Sequence, residues 1–306
     1  MNIEKFENIV KSSLKNRTNE SKRVFHGRGN FYENFSFLTV DSINDILFAI
    51  FYEEDEKEQE VINTLLNIAK EFEYADFIVQ KRYEKEDFTK SYLKALKDNY
   101  ILYENSLAYS INFKNKNIGF FLDAKNAKEY LRTICKDKKV LNLFSYTCSF
   151  SVVAAFFGAK MVVNVDMAKN ALNTGRQNHI LNKIDTKNIK FLPYNILKSW
   201  SRIKKDSPYD IVIIDPPSFQ KGSFDASRDY EKIVKKLEDL TQEKSIVIAC
   251  LNDPFLDTQF LKSLFENHAK SFEFIRKIDN LDEFKTINEE KSLKILIFYR
   301  NQSIIA

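Results

Sequence analysis

Two stretches decide the fold: 139-KVLNLFSYTCSFSVVAAFFGAKMVVNVD-166 and 209-YDIVIIDPPSF-219. KVLNLFS is a near-continuous apolar run, the pattern of a strand buried on both faces. Phe150–Phe157 follows, rich in small apolar groups, and predicts a helix. KMVVNVD is a second strand and Ala168–Leu181 a second helix. Farther out, NIKFLPYN is a third strand and YDIVIID a fourth, apolar almost to its end at Asp215. Asp229–Leu240 predicts a helix, SIVIACLN a fifth strand and Asp257–Glu266 a helix. SFEFIRKID and SLKILIFYR supply two closing strands. Buried strands alternating with helices predict an α/β, Rossmann-like, seven-stranded and mostly parallel sheet, its closing pair giving an antiparallel edge strand.

Upstream the pattern changes. Ile3–Leu14 predicts an amphipathic helix, with Phe6, Ile9, Val10 and Leu14 on one face. Strands are expected at Phe37–Asp41, Ile46–Tyr52 and Ala75–Lys81, and a helix at Glu58–Glu71. The charged run YEKEDFTKSYLKALKDN is expected to be a linker or surface excursion. Leu107–Phe113 predicts a strand, and Ala124–Ile134 a helix with Asp123 as its N-cap. The expected division is a smaller α+β domain over 1–100, which could contact RNA, and a second domain over 101–306.

The 306 residues, 44% hydrophobic and 29% charged, allow one large domain or a core with an appendage. A net charge of +4 permits an acidic partner without requiring one. Cys135, Cys148 and Cys250 form no CxxC pair, so neither a zinc site nor a disulfide framework is expected. No apolar run is long enough for a membrane span, and the charged N-terminus is unlike a secretory signal. The expectation is a soluble cytoplasmic protein with no metal and no membrane contact.

Ligands of open α/β sheets sit beyond the carboxyl ends of the strands. The turn Ser145–Ser149 lies there but has no glycine before Gly158, so a dinucleotide fingerprint and a phosphate loop are both poorly supported. An NAD-linked dehydrogenase is disfavoured on that ground. Asp166 ends the second strand, where a carboxylate can accept hydrogen bonds from both ribose hydroxyls of an adenosyl group; alternatively it caps the next helix. Asp215 is followed by Pro216 and Pro217, each lacking a donor and fixing φ. This is a stiff ledge that can present one side chain and several carbonyls to a substrate, or a plain strand-ending turn.

VLNLFSYTCSFSV, NVDMAKNAL, RQNHILN and VIIDPPSFQKGSF, with ENSLAYSINFKNKNIGFFLDAKNAKEYL before them, together resemble the bacterial class I S-adenosylmethionine-dependent methyltransferases of large-subunit ribosomal RNA. That group includes cytosine-C5 and guanine-N enzymes and uncharacterised relatives. The resemblance runs from about Leu102 to Phe298, with a weaker one over RVFHGRGNFYENFSFLTVD. It implies S-adenosylmethionine as cofactor and 23S ribosomal RNA as partner. Phe144, Ser145, Tyr146, Thr147 and the turn Cys148, Ser149, Phe150 would wrap the methionine part. Asp166 would hold the ribose, with Met167 against the adenine. Asn195 stands where relatives often carry Asp for the adenine amino group. Asp215 would face the methionine end and the target base, and Phe121 and Asp123 would lie beside the cofactor. Relatives usually have two glycines at Cys148 and Ser149, so a shifted loop or weaker binding is expected here.

The implied reaction is methyl transfer to a nucleobase, with Asp215, Pro216, Pro217 and Phe219 at the acceptor. Phe219 could stack on a flipped base. Cytosine C5 needs a cysteine thiolate, and Cys250 ends the fifth strand where one would act; a buried structural cysteine is the competing reading. Amino nitrogens need no covalent partner. Lys22, Arg23, Arg28, Lys221 and Arg228 could contact phosphates or form a solvated face. Two alternatives remain: a methyltransferase acting on another RNA, a protein or a small molecule, and a non-catalytic RNA-binding protein with a degenerate cofactor site.

Overall fold

The computed structural model describes residues 1–301; residues 302–306, the tail of the expected second domain, lie outside them. The chain forms two compact units, one of residues 1–122 with 281–287, the other of residues 123–280 with the chain from 288 on.

In the first unit, α1 (Ile3–Leu14) buries Phe6, Val10 and Leu14, spaced four residues apart on one face. Asn2 caps it by accepting from Lys5 N at 3.0 Å. A five-stranded sheet runs in sequential order through β1 (Lys22–His26), β2 (Leu38–Ile43), β3 (Ile46–Phe51), β4 (Asp76–Lys81) and β5 (Thr89–Ser91). Only β3 and β4 pair in parallel, because the helix α2 (Glu58–Glu71) lies between them. Both helices pack their apolar stripes into one core with Leu38, Val40, Leu47 and Phe77.

Two features of this unit escaped the sequence reading. The expected linker contributes β5 at the sheet edge. A hairpin of β6 (Tyr100–Glu104) and β7 (Leu107–Ile111) also belongs here. Gln80 Nε2 donates to Phe113 O at 3.3 Å and Asn115 O at 3.0 Å, so the chain just after the hairpin is fastened to β4. The division therefore falls after Leu122 and not after residue 100. Residues 281–287 return to the same unit. Ile287 N donates to Gly29 O at 3.0 Å, and a Cβ on Gly29 would run into the Lys285 carbonyl. Close backbone approach explains the glycine there.

In the second unit, α3 (Lys125–Ile134) precedes β8 (Lys139–Leu143), α4 (Ser149–Phe156), β9 (Met161–Val165), α5 (Lys169–Leu181) and β10 (Ile189–Leu192). After the short helix α6 (Trp200–Ile203) comes β11 (Tyr209–Ile214), then a small ribbon of β12 (Phe219–Gln220) and β13 (Phe224–Asp225). The helix expected over Asp229–Leu240 is two pieces, α7 (Ala226–Val234) and α8 (Leu237–Leu240). The strands β14 (Thr241–Leu251), β15 (Phe272–Ile278) and β16 (Lys294–Arg300) follow, with α9 (Thr258–His268) after β14. Sheet order is β10-β9-β8-β11-β14-β16-β15. The first five strands are parallel. The closing pair is antiparallel, and β16 is inserted between β14 and β15, second from the edge. Asp123 does not cap α3; Ala124 holds that position without a side-chain bond.

Strand alternation divides the core in two. Leu141, Leu143, Val212, Ile214, Val247 and Ala249 face one way and pack with Ile233 of α7 and Leu261 of α9. Val140, Ile211, Ile213 and Ile248 face the other way and pack with Leu131 of α3 and Ala154 of α4. Burial of each such side chain contributes roughly 1.5–3 kcal/mol.

Helix α5 is held to the rest by polar contacts. Asn142 Nδ2 donates to Asn164 Oδ1 at 3.0 Å, and Asn164 Nδ2 to Ser151 Oγ at 2.9 Å. Ser151 Oγ lies 3.0 Å from His179 Nε2, and His179 Nδ1 lies 2.7 Å from Gly175 O. A carbonyl only accepts, so Nδ1 carries the proton and Nε2 accepts from Ser151. The result is a one-way chain from β8 through β9 and α4 to α5, and burial lowers the His179 pKa below its usual value. Gly175 matters for a second reason. A Cβ there would overlap Cys148 Sγ and come within 2.9 Å of Cys148 Cβ.

Two predictions follow from this packing. Gly175→Ala should destabilise the protein by about 1–3 kcal/mol, as overpacking does. Adding Cys148→Gly should restore most of that loss in chemical denaturation; strictly additive effects would show that the two residues do not compete for the same space. The second concerns pH. Burial, with help from Arg23 and Arg28, lowers the His26 pKa from 6.5 to about 3. The unfolded chain then binds more protons than the folded one between those values, so this contribution to stability shrinks as pH falls below about 6.5. The melting temperature should drop between pH 6.5 and 5, before most carboxylates titrate, and the drop should be smaller in His26→Gln.

Candidate active site

The turn after β8 has an unusual backbone. Phe144, Tyr146 and Cys148 all take left-handed conformations, with φ of 58°, 46° and 64°. Each costs a non-glycine residue of the order of 1 kcal/mol or more. Specific contacts hold the turn. Asp166 Oδ2 accepts from Tyr146 N at 2.9 Å, Thr147 O accepts from Asn178 Nδ2 at 2.9 Å, and Ser145 N donates to Val165 O at 3.1 Å. The Phe144 ring packs edge-on against Phe224, centroids 4.8 Å apart.

The left-handed φ at Cys148 accounts for the glycine expected there. The thiol is turned inward, fully buried over Gly175. Burial pushes its pKa far above the usual thiol range, so it stays protonated. Gly175 of α5, lacking a Cβ, leaves the space that this thiol occupies. Phe150 is also turned into the core, at 4% exposure, leaving only its backbone near the turn. The Ser145 hydroxyl is buried beside the Cys148 thiol and has no well-formed hydrogen bond. A polar group left in this way suits a turn that closes around a polar ligand.

Asp166 is half-buried at the end of β9, and its Oδ1 accepts from Ala168 N at 2.8 Å. The carboxylate therefore organises both the turn and the start of α5. An ionised carboxylate has about four acceptor positions, so two remain. Met167 next to it is 46% exposed, and Asn195 Nδ2 approaches its sulfur at 3.7 Å. Asn195 Oδ1 meanwhile accepts from Lys198 N at 3.2 Å. The ends of β8, β9 and β10 so carry Ser145, Asp166, Met167 and Asn195, a set whose polar and apolar groups could hold an adenosyl group.

Asp215 continues the alternation of Ile211 and Ile213, and Cys250 that of Ile248, so both belong to the α3 face of the sheet. The two side chains are electrostatic neighbours, each shifting the other's pKa. Burial pushes the Asp215 pKa up to about 7, and the charge of Asp123 adds to this; Lys128, fully buried on α3, pulls the other way. Cys250 is 1% exposed, and burial with the Asp215 charge holds its thiol protonated. Tyr230 Oη donates to Cys250 O at 3.1 Å. Pro216 is buried and Pro217 exposed, while Phe219 is 67% exposed. Ser149 opens α4 half-buried. Phe121 is exposed and belongs to the first unit, which ends at Leu122.

The basic residues divide. Arg23 is paired with Asp41 and stacked on Phe284, Lys22 donates to Ser13 O at 2.7 Å, and Arg28 lies over the Tyr52 ring. These three are engaged within the first unit. Arg228 is 3.7 Å from Asp225 and 3.9 Å from Asp229, whereas Lys221 makes no ion pair among the described residues. No group of three potential metal ligands occurs among the described residues. No helix there is long and apolar enough to cross a membrane. Gly175, Asn178 and Lys128 went unnoticed in the sequence. A glycine inside a helical pattern was the available signal for the first; a helical Asn or Lys carries none until its neighbours are known.

Comparison with known proteins supplies the family and the fold. A Bacillus subtilis (strain 168) protein, YwbD, provisionally named a ribosomal RNA large subunit methyltransferase, is 30% identical over 213 residues, 65% of this chain and 54% of that protein. Ribosomal RNA large subunit methyltransferase I of Aeromonas salmonicida (strain A449) is 31% identical over 207 residues, 64% of this chain and 52% of its own. The chain thus matches about half the length of these relatives. The crystal structure of SMU.776, provisionally described as a methyltransferase and complexed with SAH, superposes with a TM-score of 0.87 at 23% identity. It covers 98% of this chain and 82% of that one, which establishes a shared fold. Residues 22–299 match the profile of the S-adenosylmethionine-dependent methyltransferases, a span that takes in the left-handed turn, Asp166 and the Asp215 ledge, and the chain belongs to that family.

Proposed function

We propose that the protein transfers a methyl group from S-adenosylmethionine to a nucleobase of large-subunit ribosomal RNA. The observation that carries this reading is the Asp215 carboxylate, half-buried on a two-proline ledge, with its pKa raised to about 7. The names of the relatives support the acceptor class. With such an acceptor the protein would act in the cytoplasm. The first unit would contribute to RNA binding.

S-adenosylmethionine supplies a methyl group on a positively charged sulfur, open to in-line attack. Asp166 would accept from the ribose hydroxyls with its two remaining acceptor positions. Met167 and Asn195 would lie against the adenine. The turn from Phe144 to Ser149, with Phe150 contributing backbone, would enclose the methionine part, and Ser145 Oγ would gain a partner there. Asp123 would lie beside it. Alignment of donor and acceptor is the main task in such a displacement.

Asp215 would hold the acceptor base and manage its proton, with Pro216 and Pro217 fixing the approach and Phe219 offering a ring face. A carboxylate that is half-protonated near pH 7 can accept a proton at little cost in driving force. The state of Cys250 favours a nitrogen acceptor. Addition to cytosine C6 requires an accessible thiolate, whereas this thiol is buried and held protonated.

Methyl transfer from radiolabelled S-adenosylmethionine to undermethylated 23S RNA tests these roles. Asp215→Ala should lower kcat by at least about 100-fold, as loss of a positioned acid–base group does, while cofactor affinity measured by calorimetry stays within a few-fold. In the parent protein the rate should rise with pH through about 7, as Asp215 ionises, and Asp215→Asn should lack that limb. Full activity in Asp215→Ala would refute the assignment. Cys250→Ser should stay active; abolished transfer with an intact fold would point to carbon methylation.

A further inference from the structure

The loop after β14 exposes a large apolar side chain beside the acceptor site. Phe255 is 94% exposed, more than any other large hydrophobic residue described. Its loop is nevertheless well held. Asp253 Oδ1 accepts from Phe255 N at 2.8 Å. Lys294 Nζ, fully buried, donates to Asp253 O at 2.8 Å, Glu290 O at 2.6 Å and Ser292 O at 3.1 Å. Ser218 Oγ donates to Asn252 O at 2.7 Å, tying this loop to the Asp215-Pro216-Pro217 ledge. A buried ammonium spent on three carbonyls fixes the backbone that carries Phe255, yet the ring itself packs against nothing that hides it from water.

Position narrows what the ring can meet. β11 and β14 are adjacent and parallel, with Ile214 opposite Ala249, so the loops after them leave the sheet side by side. One presents Asp215 and the exposed Phe219, the other Phe255. Lys221, exposed and without an ion pair among the described residues, lies on the same ledge loop as Phe219. Exposed rings on anchored loops, with an unpaired cation nearby, are the means by which proteins hold single-stranded nucleic acid: bases stack on the rings and cations meet phosphates.

We propose that Phe255 is a stacking platform for a nucleobase of the single-stranded RNA acceptor, holding the strand while Asp215 engages the target. This inference rests on the RNA acceptor proposed above. Phe255 would be a positioning residue for the acceptor strand, with no part in the methyl transfer itself.

The test compares the parent protein with Phe255→Ala, Phe255→Leu and Phe255→Trp. Because the ring is exposed, all three should keep the parent melting temperature. Binding of a fluorescent single-stranded RNA oligonucleotide of mixed sequence is followed by anisotropy over a salt series. Loss of one stack should weaken binding between about 5- and 150-fold in Phe255→Ala and Phe255→Leu. Phe255→Trp should bind within about twofold of the parent, and the salt slope should not change, since no phosphate contact is lost. Transfer to undermethylated 23S RNA should show the loss in KM, with kcat and cofactor affinity little altered. Equal RNA affinity in all variants, or failure of the parent to bind the oligonucleotide, would overturn the stacking role and leave the ring to a protein partner. Weakened oligonucleotide binding without any transfer to 23S RNA would instead overturn the ribosomal acceptor and keep the stack.

Discussion

The structure depends first on a backbone constraint: three left-handed residues within five positions, Phe144, Tyr146 and Cys148. None is glycine, so the turn would relax if nothing opposed it. Three contacts oppose it. Asp166 accepts the Tyr146 N–H, Asn178 donates to the Thr147 carbonyl, and Gly175 leaves room for the Cys148 thiol. Two of these come from α5, which the Asn142–Asn164–Ser151–His179 chain fastens to β8, β9 and α4. The shape of the turn after β8 is thus set from beneath by Asp166 and α5.

Reactivity follows from where the strands end. Period-two alternation puts Asp215 and Cys250 on the face that packs against α3, and the same alternation buries their neighbours Ile213 and Ile248. A carboxylate at that edge is shielded enough for its pKa to reach about 7, while the thiol one strand away is shielded more and stays protonated. Burial therefore assigns different chemistry to two groups on neighbouring strands. The two prolines keep the carboxylate at the edge by preventing the chain from continuing β11.

Much of this was legible in the sequence. The α2 helix at Glu58–Glu71 carries strong periodicity, the parallel strands read as near-continuous apolar runs, and Asp166 and Asp215 stand out as carboxylates at the ends of those runs. Less was legible where tertiary contacts override local pattern. The charged run before Tyr100 hid β5, because an edge strand needs few apolar residues. The hairpin of β6 and β7 reads equally well as the start of either unit; only the Gln80 bonds to 113 and 115 assign it. Cys148 reads as an intrusion into the turn after β8 because Gly175, which leaves room for its thiol, lies 27 residues away in the sequence. Arg23 and Arg28 read as candidate phosphate contacts because Asp41 and Tyr52 only meet them in the fold.

The central claim is that this active site methylates one nucleobase of large-subunit ribosomal RNA. Mass mapping of modified nucleotides in that RNA, from cells with and without the gene, measures it most directly. The account predicts that a single methyl mark, on a base nitrogen, disappears when the gene is absent and returns with the intact gene. An identical set of marks in both strains would contradict it.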